Sequence, residues 1–592
     1  MQPTEIYADK IKTLQAQLRA TALHLKWLSF ARLLAFLAAA TFAWKCIDRD
    51  PWAMAPLGIL AALVVFAFIL RRYQRASRQE ALLKALLQLN EKEHQLATVH
   101  VSTFDDGQRF VDEGHAFAGD LDIFGPASLY HHMNRAGTLS GRERLANLLK
   151  HPLQHAASIQ ATQEVVKDLA ARLEFRQHIA AQASLTDEQP NDRHRLETWF
   201  GMPVRFLHSK GLNILRYISL ALTLIAAVIS IRNQSMYPVG VMILVNAVIL
   251  STVTAKVTEQ HRHLSSQEKT LYRFAAILAL INKEQFTARG LQKLQEQVKE
   301  ADDALRKLAR ISNALDQRAN LLVLLFLQPL CLYDLHCAFA VERWKTRYQG
   351  QVHEWLAVIA ELEAWNSLAT FAYNHPAYAY PVVDEQEEGI VAAGLCHPLI
   401  PPEQCVKNDC TLTGETQFLI ITGSNMSGKS TFLRSVGTNL VLAMCGAPVG
   451  ATTFIFAPMQ VMTSMRIKDS IAKHTSYFQA ELQRLQQIVT ALQRGQRVFI
   501  ILDEILKGTN SEDKLSGSRK LVEKFLRYNC LGMIATHDLE LGQLENTYPE
   551  QVKNYCFEST INEAGLHFDY RIRPGIARNK NATFLMQQME II

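Results

Sequence analysis

Several things that would place a chain of 592 residues quickly are scarce in this one. Its nine cysteines include no CxxC pair and no spacing suited to a metal. They read as reduced thiols in a cytosolic setting, mostly small buried hydrophobes, which excludes a disulfide scaffold and a cysteine-built metal site. Charge of one sign is also in short supply. The formal net charge is +6, too mild and too scattered to argue for nucleic acid by itself. No low-complexity tract occurs, and the balance of 48% apolar to 20% charged residues excludes a disordered chain. A secretory leader is not expected either, because no small-residue cleavage site follows the first apolar run.

Long apolar runs, by contrast, are present. Leu33 to Trp44 is apolar without a break, and Trp52 to Leu70 follows after the polar turn Lys45 to Pro51. Tyr217 to Ile231 and Met236 to Ala255 flank a second turn, Arg232-Asn233-Gln234-Ser235. A membrane-crossing helix needs about 20 apolar residues. The second member of each pair has that length. The first recruits flanking residues, with Arg32 and Arg216 snorkelling toward the interface. Two runs joined by a short turn, seen twice, predict two transmembrane helical hairpins, four helices in a lipid bilayer. Lys10, Lys12, Arg19 and Lys26 precede the first pair, and Arg71, Arg72, Arg75 and Arg78 follow it. Lys210 and Arg216 precede the second, and Lys256 follows it. The positive-inside rule then puts both chain ends and the stretch between the hairpins in the cytoplasm. The expected product is a multi-pass protein of the cell (inner or plasma) membrane.

The rest divides by pattern. Residues 1–26 look like a cytosolic amphipathic helix leading into the first hairpin, 27–72. Residues 73–210 have a loop-like entry at Gly114 to Gly125 and helical periodicity afterwards. The second hairpin takes 211–256. From 257 to 380 helix follows helix, with Leu291, Leu294, Val298, Leu305, Leu308 and Leu315 recurring as a packed stripe. Pro376 and Pro381 end the helical regime. Short aliphatic runs, glycine turns and helices alternate from 381 to 592, the grammar of an α/β domain.

That last region carries the chemistry. The strand Gln417 to Thr422 runs into Gly423-Ser424-Asn425-Met426-Ser427-Gly428-Lys429-Ser430-Thr431, after which a helix starts. This is GxxxxGKS in strand–loop–helix context. Such glycines let backbone N–H groups turn inward around phosphate, and the helix N-terminus adds its positive end. Lys429 is expected on the β- and γ-phosphates of ATP, with the Ser430 hydroxyl on Mg²⁺. Arg497 to Glu504 is a second apolar strand ending in two acids, which places Asp503 beside the metal and Glu504 where it can polarise the attacking water. A third strand, Leu531 to Thr536, carries His537 at its tip, able to sense the γ-phosphate or hold the water. The three elements in this order point to an ATPase. A fifth apolar run, Leu321 to Val341, contains Asp334 and His336. An odd number of crossings would strand the nucleotide site away from ATP, so this run is expected to be a buried helix of the soluble part.

At this point the residues resemble the MutS family of mismatch-repair ATPases, relatives of the ABC ATPases. The loop Gly423 to Arg434 is similar to the family's P-loop, with Ser424 replacing the usual proline. Asp503-Glu504 followed by Lys507-Gly508-Thr509-Asn510 is similar to its DE-x-x-[RK]-GT motif, and Ala535-Thr536-His537 to its ATH. Met465 to Asp469 and Ser476 to Glu481 match the stretch ending in S-x-F-x-x-E, while His397-Pro398 and Asn408-Asp409 fall where the family has HP and ND. Asp120 to Gly125 and Thr138 to Leu145 look like the start of its helical core. The resemblance implies an α/β P-loop (ABC-like) ATPase domain plus an all-α MutS-like core, here with two transmembrane hairpins. It also implies a nucleotide-sandwich homodimer in which Ser476 acts in trans on the partner's nucleotide, and DNA as a possible partner.

Two functions follow from these expectations. One is a membrane-anchored MutS-like ATPase coupled to DNA but without a mismatch-reading head, since a membrane hairpin stands at 1–110 where that head would be. The other is a membrane ATPase switch acting on a protein or the bilayer without DNA. An ABC transporter proper fits poorly, because the motifs are of the MutS type and the hairpins do not resemble a transport domain.

Overall fold

A computed structural model describes residues 2–48, 55–185, 198–265, 267–320, 323–386, 389–466, 477–562 and 565–578. Helices of 46 and 45 residues, Pro3–Asp48 and Ala55–Val99, open the chain. The first has a single proline, in its first turn, and no glycine, so nothing interrupts it. The approach sequence and the first apolar run are one continuous rod. The two helices run antiparallel, because Arg32 stacks on Tyr73 at 5.0 Å while Asn374 bridges Tyr7 and Glu93 at the other end. Trp27, Phe30, Leu33 and Phe36 on one helix and Val64 and Phe68 on the other are exposed.

A second antiparallel pair, Lys210–Arg232 and Tyr237–Leu264, turns at residues 233–236. Ser209 caps its start through Leu212 N, and Ser219 and Thr223 meet Asn246 between the helices. Outward from the pair, Leu224, Val228, Leu244 and Val248 are all exposed. Among the described residues three helices are long and apolar enough to cross a membrane, within Pro3–Ala38, Lys210–Arg232 and Tyr237–Leu264. The expected run Trp52 to Leu70 begins outside the described residues.

The helical body surrounds one 42-residue helix, Tyr333–Asn374. Against it pack Leu139–Lys150, Ala156–Ala170, Arg289–Gln297 and Ala301–Asp316. Of the leucine stripe, Leu291, Val298, Leu305, Leu308 and Leu315 are buried. Two buried glutamates of the long helix fasten loops. Glu363 accepts from Gly137 N, Thr138 N and the Thr138 hydroxyl, and Glu342 accepts from the N–H groups of Arg205, Phe206 and Leu207. Each satisfies donors that would otherwise be orphaned at a chain bend.

The run 321–341 is not the single buried helix expected. Its described part is a π-turn Val323–Leu327, a short helix Gln328–Cys331, a left-handed residue Leu332 (φ 50°), and then the start of the long helix. Pro329 has no N–H to continue a ladder, and the αL residue breaks the axis. Leu324, Leu325 and Leu327 are exposed, while Asp334 is buried and paired with Arg318 at 2.8 Å.

The α/β region has two sheets. β1 (Val382–Val383), β2 (Ile390–Leu395) and β3 (Asn408–Leu412) join β5 (Thr453–Phe456) in the order β1-β5-β2-β3. β4 (Phe418–Gly423), β6 (Gln460–Ser464), β7 (Val498–Asp503), β8 (Cys530–Thr536), β9 (Val552–Asn562) and β10 (Gly565–Pro574) form the second, ordered β10-β9-β4-β8-β7-β6. All its neighbours are parallel except β9 with β10. Helices cover both faces, which is why β4, β7 and β8 read as unbroken apolar runs. One face shares a continuous core with the helical body through Leu121, Ile421, Leu440 and Phe499. The other packs on Tyr477–Gln493 and Ser511–Phe525.

Candidate nucleotide site

The site lies where parallel strands β4, β7 and β8 end side by side, the crevice an open α/β sheet offers to a ligand. After β4 the chain turns through Gly423 to Gly428 and enters the helix Lys429–Met444. Gly428 has φ 105°, and a Cβ there would press on the Tyr570 ring at 3.1 Å. A Cβ on Gly423 would meet Phe557 O at 2.7 Å. Both positions therefore need glycine. Lys429 is buried and donates to the carbonyls of Gly423 and Ser424, each at 2.8 Å, so the loop wraps its ammonium. Burial lowers its pKa, opposed by the nearby Glu504 and Asp503 carboxylates.

A cavity of about 720 Å³ opens over this loop, lined by Asn425 through Thr431 and by Asp503, Glu504 and Lys507 on the opposite side. Asn425, Met426 and Thr431 are exposed at its mouth, Met426 in a left-handed conformation (φ 66°). Ser424 Oγ and Ser427 Oγ are buried without a hydrogen-bond partner. Of the two, Ser427 lines the cavity beside Lys429, where a phosphate oxygen would supply the missing partner. Ser430 and Asp503 line the same cavity and are the two side chains that would hold Mg²⁺. Among the described residues no group of three or more His, Cys, Asp and Glu could cage a metal. A magnesium that relies on substrate phosphates and water needs no such cage.

Glu504 follows β7 with φ 50°. It pairs with His537 Nε2 and, at 3.0 Å, with Lys507 Nζ. The His537 bond leads in pulling its pKa down to about 2, with Lys507 adding to it against burial. His537 Nδ1 lies 2.8 Å from Gly423 O. The ring thus sits between the loop Gly423–Gly428 and the Glu504 carboxylate. Glu481 positions the next turn by accepting from Leu506 N at 2.6 Å, where Leu506 has φ 57°.

Lys429, Ser430, Asp503 and Glu504 line one cavity, and His537 lies against Glu504. Ser476 lies outside the described residues. Motif reading missed the pairing of Lys507 with Glu504, although the residue stands inside a quoted motif. It also missed Tyr570, which arrives from β10 and lines the cavity with Phe557. Asn408 ties that strand down, donating to Tyr570 O and accepting from Ile572 N. His397, also at the cavity, is held neutral by burial, its pKa pushed down to about 4. The reading of all nine cysteines as reduced is corrected at the same wall. Cys396 and Cys405 are disulfide-bonded, their Cα atoms 6.1 Å apart. Antiparallel pairing of β2 with β3 sets Leu395 opposite Asn408 and so folds the connecting loop back on itself.

Comparison with known proteins bears on this geometry. Residues 419–588 match MutS domain V. The DNA mismatch repair protein MutS of Thermotoga neapolitana is 32% identical over 225 residues, 38% of this chain and 28% of the relative. The protein of the same name from Chlorobium phaeovibrioides is 30% identical over 296 residues, 48% of this chain and 30% of the relative. Human MutS protein homolog 4 is 30% identical over 195 residues, 31% and 20% of the two chains. These matches make the C-terminal part of the chain similar to MutS proteins. The matched stretch spans less than a third of the relatives' length. It holds the loop Gly423–Gly428, the acidic pair Asp503-Glu504 and His537.

Proposed function

We propose that this chain is a membrane-anchored MutS-like ATPase. In this reading it binds Mg·ATP in the cavity over Gly423–Thr431, hydrolyses it to ADP and phosphate as a nucleotide-sandwich homodimer, and couples that cycle to DNA. One observation carries the enzymatic part: a buried Lys429 encircled by loop carbonyls faces an ionised Glu504 that His537 connects back to the same loop. Lys429 would neutralise phosphate charge. Ser430 and Asp503 would hold the magnesium, whose chemistry is to draw charge from the phosphate oxygens. Glu504 would orient water, with His537 reporting on the loop, and Ser476 of the partner subunit would complete the site in trans. The exposed apolar helix pairs support four helices in a lipid bilayer, with the ATPase domain on the cytoplasmic side of the cell membrane.

DNA enters through the relatives, which are DNA mismatch repair proteins by name. In this reading contacts go to the phosphate backbone, so affinity should fall steeply with salt and hardly respond to a mismatch. The second reading, an ATPase switch moving a protein or membrane partner without DNA, is favoured by the apolar pair 210–264 continuing directly into the helical body. Solubilised protein titrated with duplex DNA at two salt concentrations, with and without ATP, separates them. An ATPase rate indifferent to DNA at both concentrations selects the second reading. Inability to hold Mg·ATP removes both.

A further inference from the structure

We infer that residues 323–331 form a re-entrant element that dips into the bilayer beside the pair 210–264 and returns on the side it entered. The inference rests on the membrane reading above and adds a fifth lipid-facing piece to it.

The depth of this element can be read from its partners, using Tyr237–Leu264 as a ruler with a rise of about 1.5 Å per residue. Arg318 donates to Thr258 Oγ1 at 3.1 Å, near the end of the ruler that enters the helical body. Pro329 O accepts from Asn246 Nδ2 at 2.7 Å. Thr258 and Asn246 are twelve positions apart, so the Arg318 guanidinium, which also pairs with Asp334, meets the ruler about 18 Å above the level of Pro329. From Pro329 the chain climbs back. Glu342 accepts from Gln260 Nε2 at 2.8 Å, about 21 Å above Asn246 on the same helix. The thirteen positions from Pro329 to Glu342, helical except at Leu332, span up to about the same rise. Chain entry and exit are therefore level with each other, and the lowest point is opposite Asn246.

Asn246 is the ninth residue after Tyr237, about 14 Å from the 233–236 turn. A hydrocarbon core is about 30 Å thick, so Pro329 sits near its middle. Two features suit that depth. The surface is apolar, since Leu324, Leu325 and Leu327 are exposed, as are Leu244 and Val248 of the helix that holds Pro329. The irregular backbone is also sealed by protein, because the freed Pro329 carbonyl is taken by a fully buried Asn246 that Thr223 and Ser219 hold in turn. Non-helical backbone is tolerated in a bilayer only when it is satisfied in this way. The element adds no crossing, so the nucleotide site stays on the side that holds ATP.

The test uses the full chain in phospholipid vesicles, with the photo-crosslinking residue p-benzoylphenylalanine placed at Leu325, at Leu244 in the helix pair, or at Leu482 on the ATPase domain. Acyl-chain adducts at Leu325 should be within about threefold of those at Leu244 and at least about tenfold above those at Leu482, as expected for lipid-immersed positions. Adducts at Leu244 with none at Leu325 overturn the inference and leave the membrane reading standing. Adducts at neither overturn both. A second measurement labels Lys307→Cys and Arg347→Cys with a maleimide that cannot cross the bilayer. Labelling from one face supports re-entry, and labelling from opposite faces makes the element a crossing and overturns it.

Discussion

Glu504 shows how much a single side chain can decide. Its carboxylate is ionised above a pKa of about 2, held there first by His537 and then by Lys507. Stability from these contacts is complete above the ordinary carboxylate range and is lost only as pH falls toward 2, so its protonation does not limit hydrolysis near neutrality. Glu504→Gln should bind Mg·ATP with near-native affinity while turnover drops by about 10²–10⁴, the usual worth of a group that activates water. A native phosphate-release rate in that variant would remove Glu504 from the role. Lys429→Ala should weaken Mg·ATP by about 10–100-fold, since each charge-assisted bond is worth about 1.5–3 kcal/mol; equilibrium binding of a fluorescent analogue measures it. His397 and His375 behave differently. Burial pushes both down to about 4, whereas an unfolded chain takes up these protons from about 6.5 downward. Unfolded protein thus binds more protons between those values, and stability falls with pH there, by about 1.4 kcal/mol per pH unit per histidine. The melting temperature should drop between pH 7 and pH 5, and His397→Asn should flatten the slope. A melt with equal midpoints at both pH values contradicts the argument.

Between elements, the contact that matters joins the loop 116–124 to the end of β6. Buried Asp120 accepts from Thr463 Oγ1 at 2.6 Å and from the N–H groups of Met465 and Arg466. Asp122 reaches Arg466 at 2.6 Å and Arg434, on the helix after the phosphate loop, at 3.4 Å. Asp120→Ala strands buried donors and should cost about 1–3 kcal/mol per group in urea unfolding. Asp122 and Arg466 are half exposed, so Asp122→Ala should stay within about 1 kcal/mol. Equal losses in the two variants would refute this division. None of this contact could be read beforehand, because residues 120 and 466 share no local pattern. Legibility follows locality. The phosphate loop, the acids after β7 and His537 were readable because strand, turn and helix each impose a residue type at a fixed offset. Cys396 and Cys405 were not, because their meeting depends on β2–β3 register. The run 321–341 misled because composition reports hydrophobicity and says nothing of a bend at Pro329 and Leu332.

At the scale of the whole molecule, the proposal stands on a second copy closing over the nucleotide with Ser476. Suppose Lys429→Ala and Ser476→Ala chains are each prepared in detergent and found inactive. In a mixed dimer the Lys429→Ala chain still has its serine, and the Ser476→Ala chain still has a working phosphate loop. If the serine reaches across the two-fold interface, each mixed dimer has one complete site. Random pairing makes half the dimers mixed, so activity should return to about a quarter of native. If the serine serves its own chain, every site in the mixture lacks either lysine or serine, and nothing returns. Phosphate release measured before and after mixing therefore tests the dimer geometry directly, with sedimentation in Mg·ATP showing that pairs have formed. Mixed pairs that form and remain inactive would rule out the contact in trans.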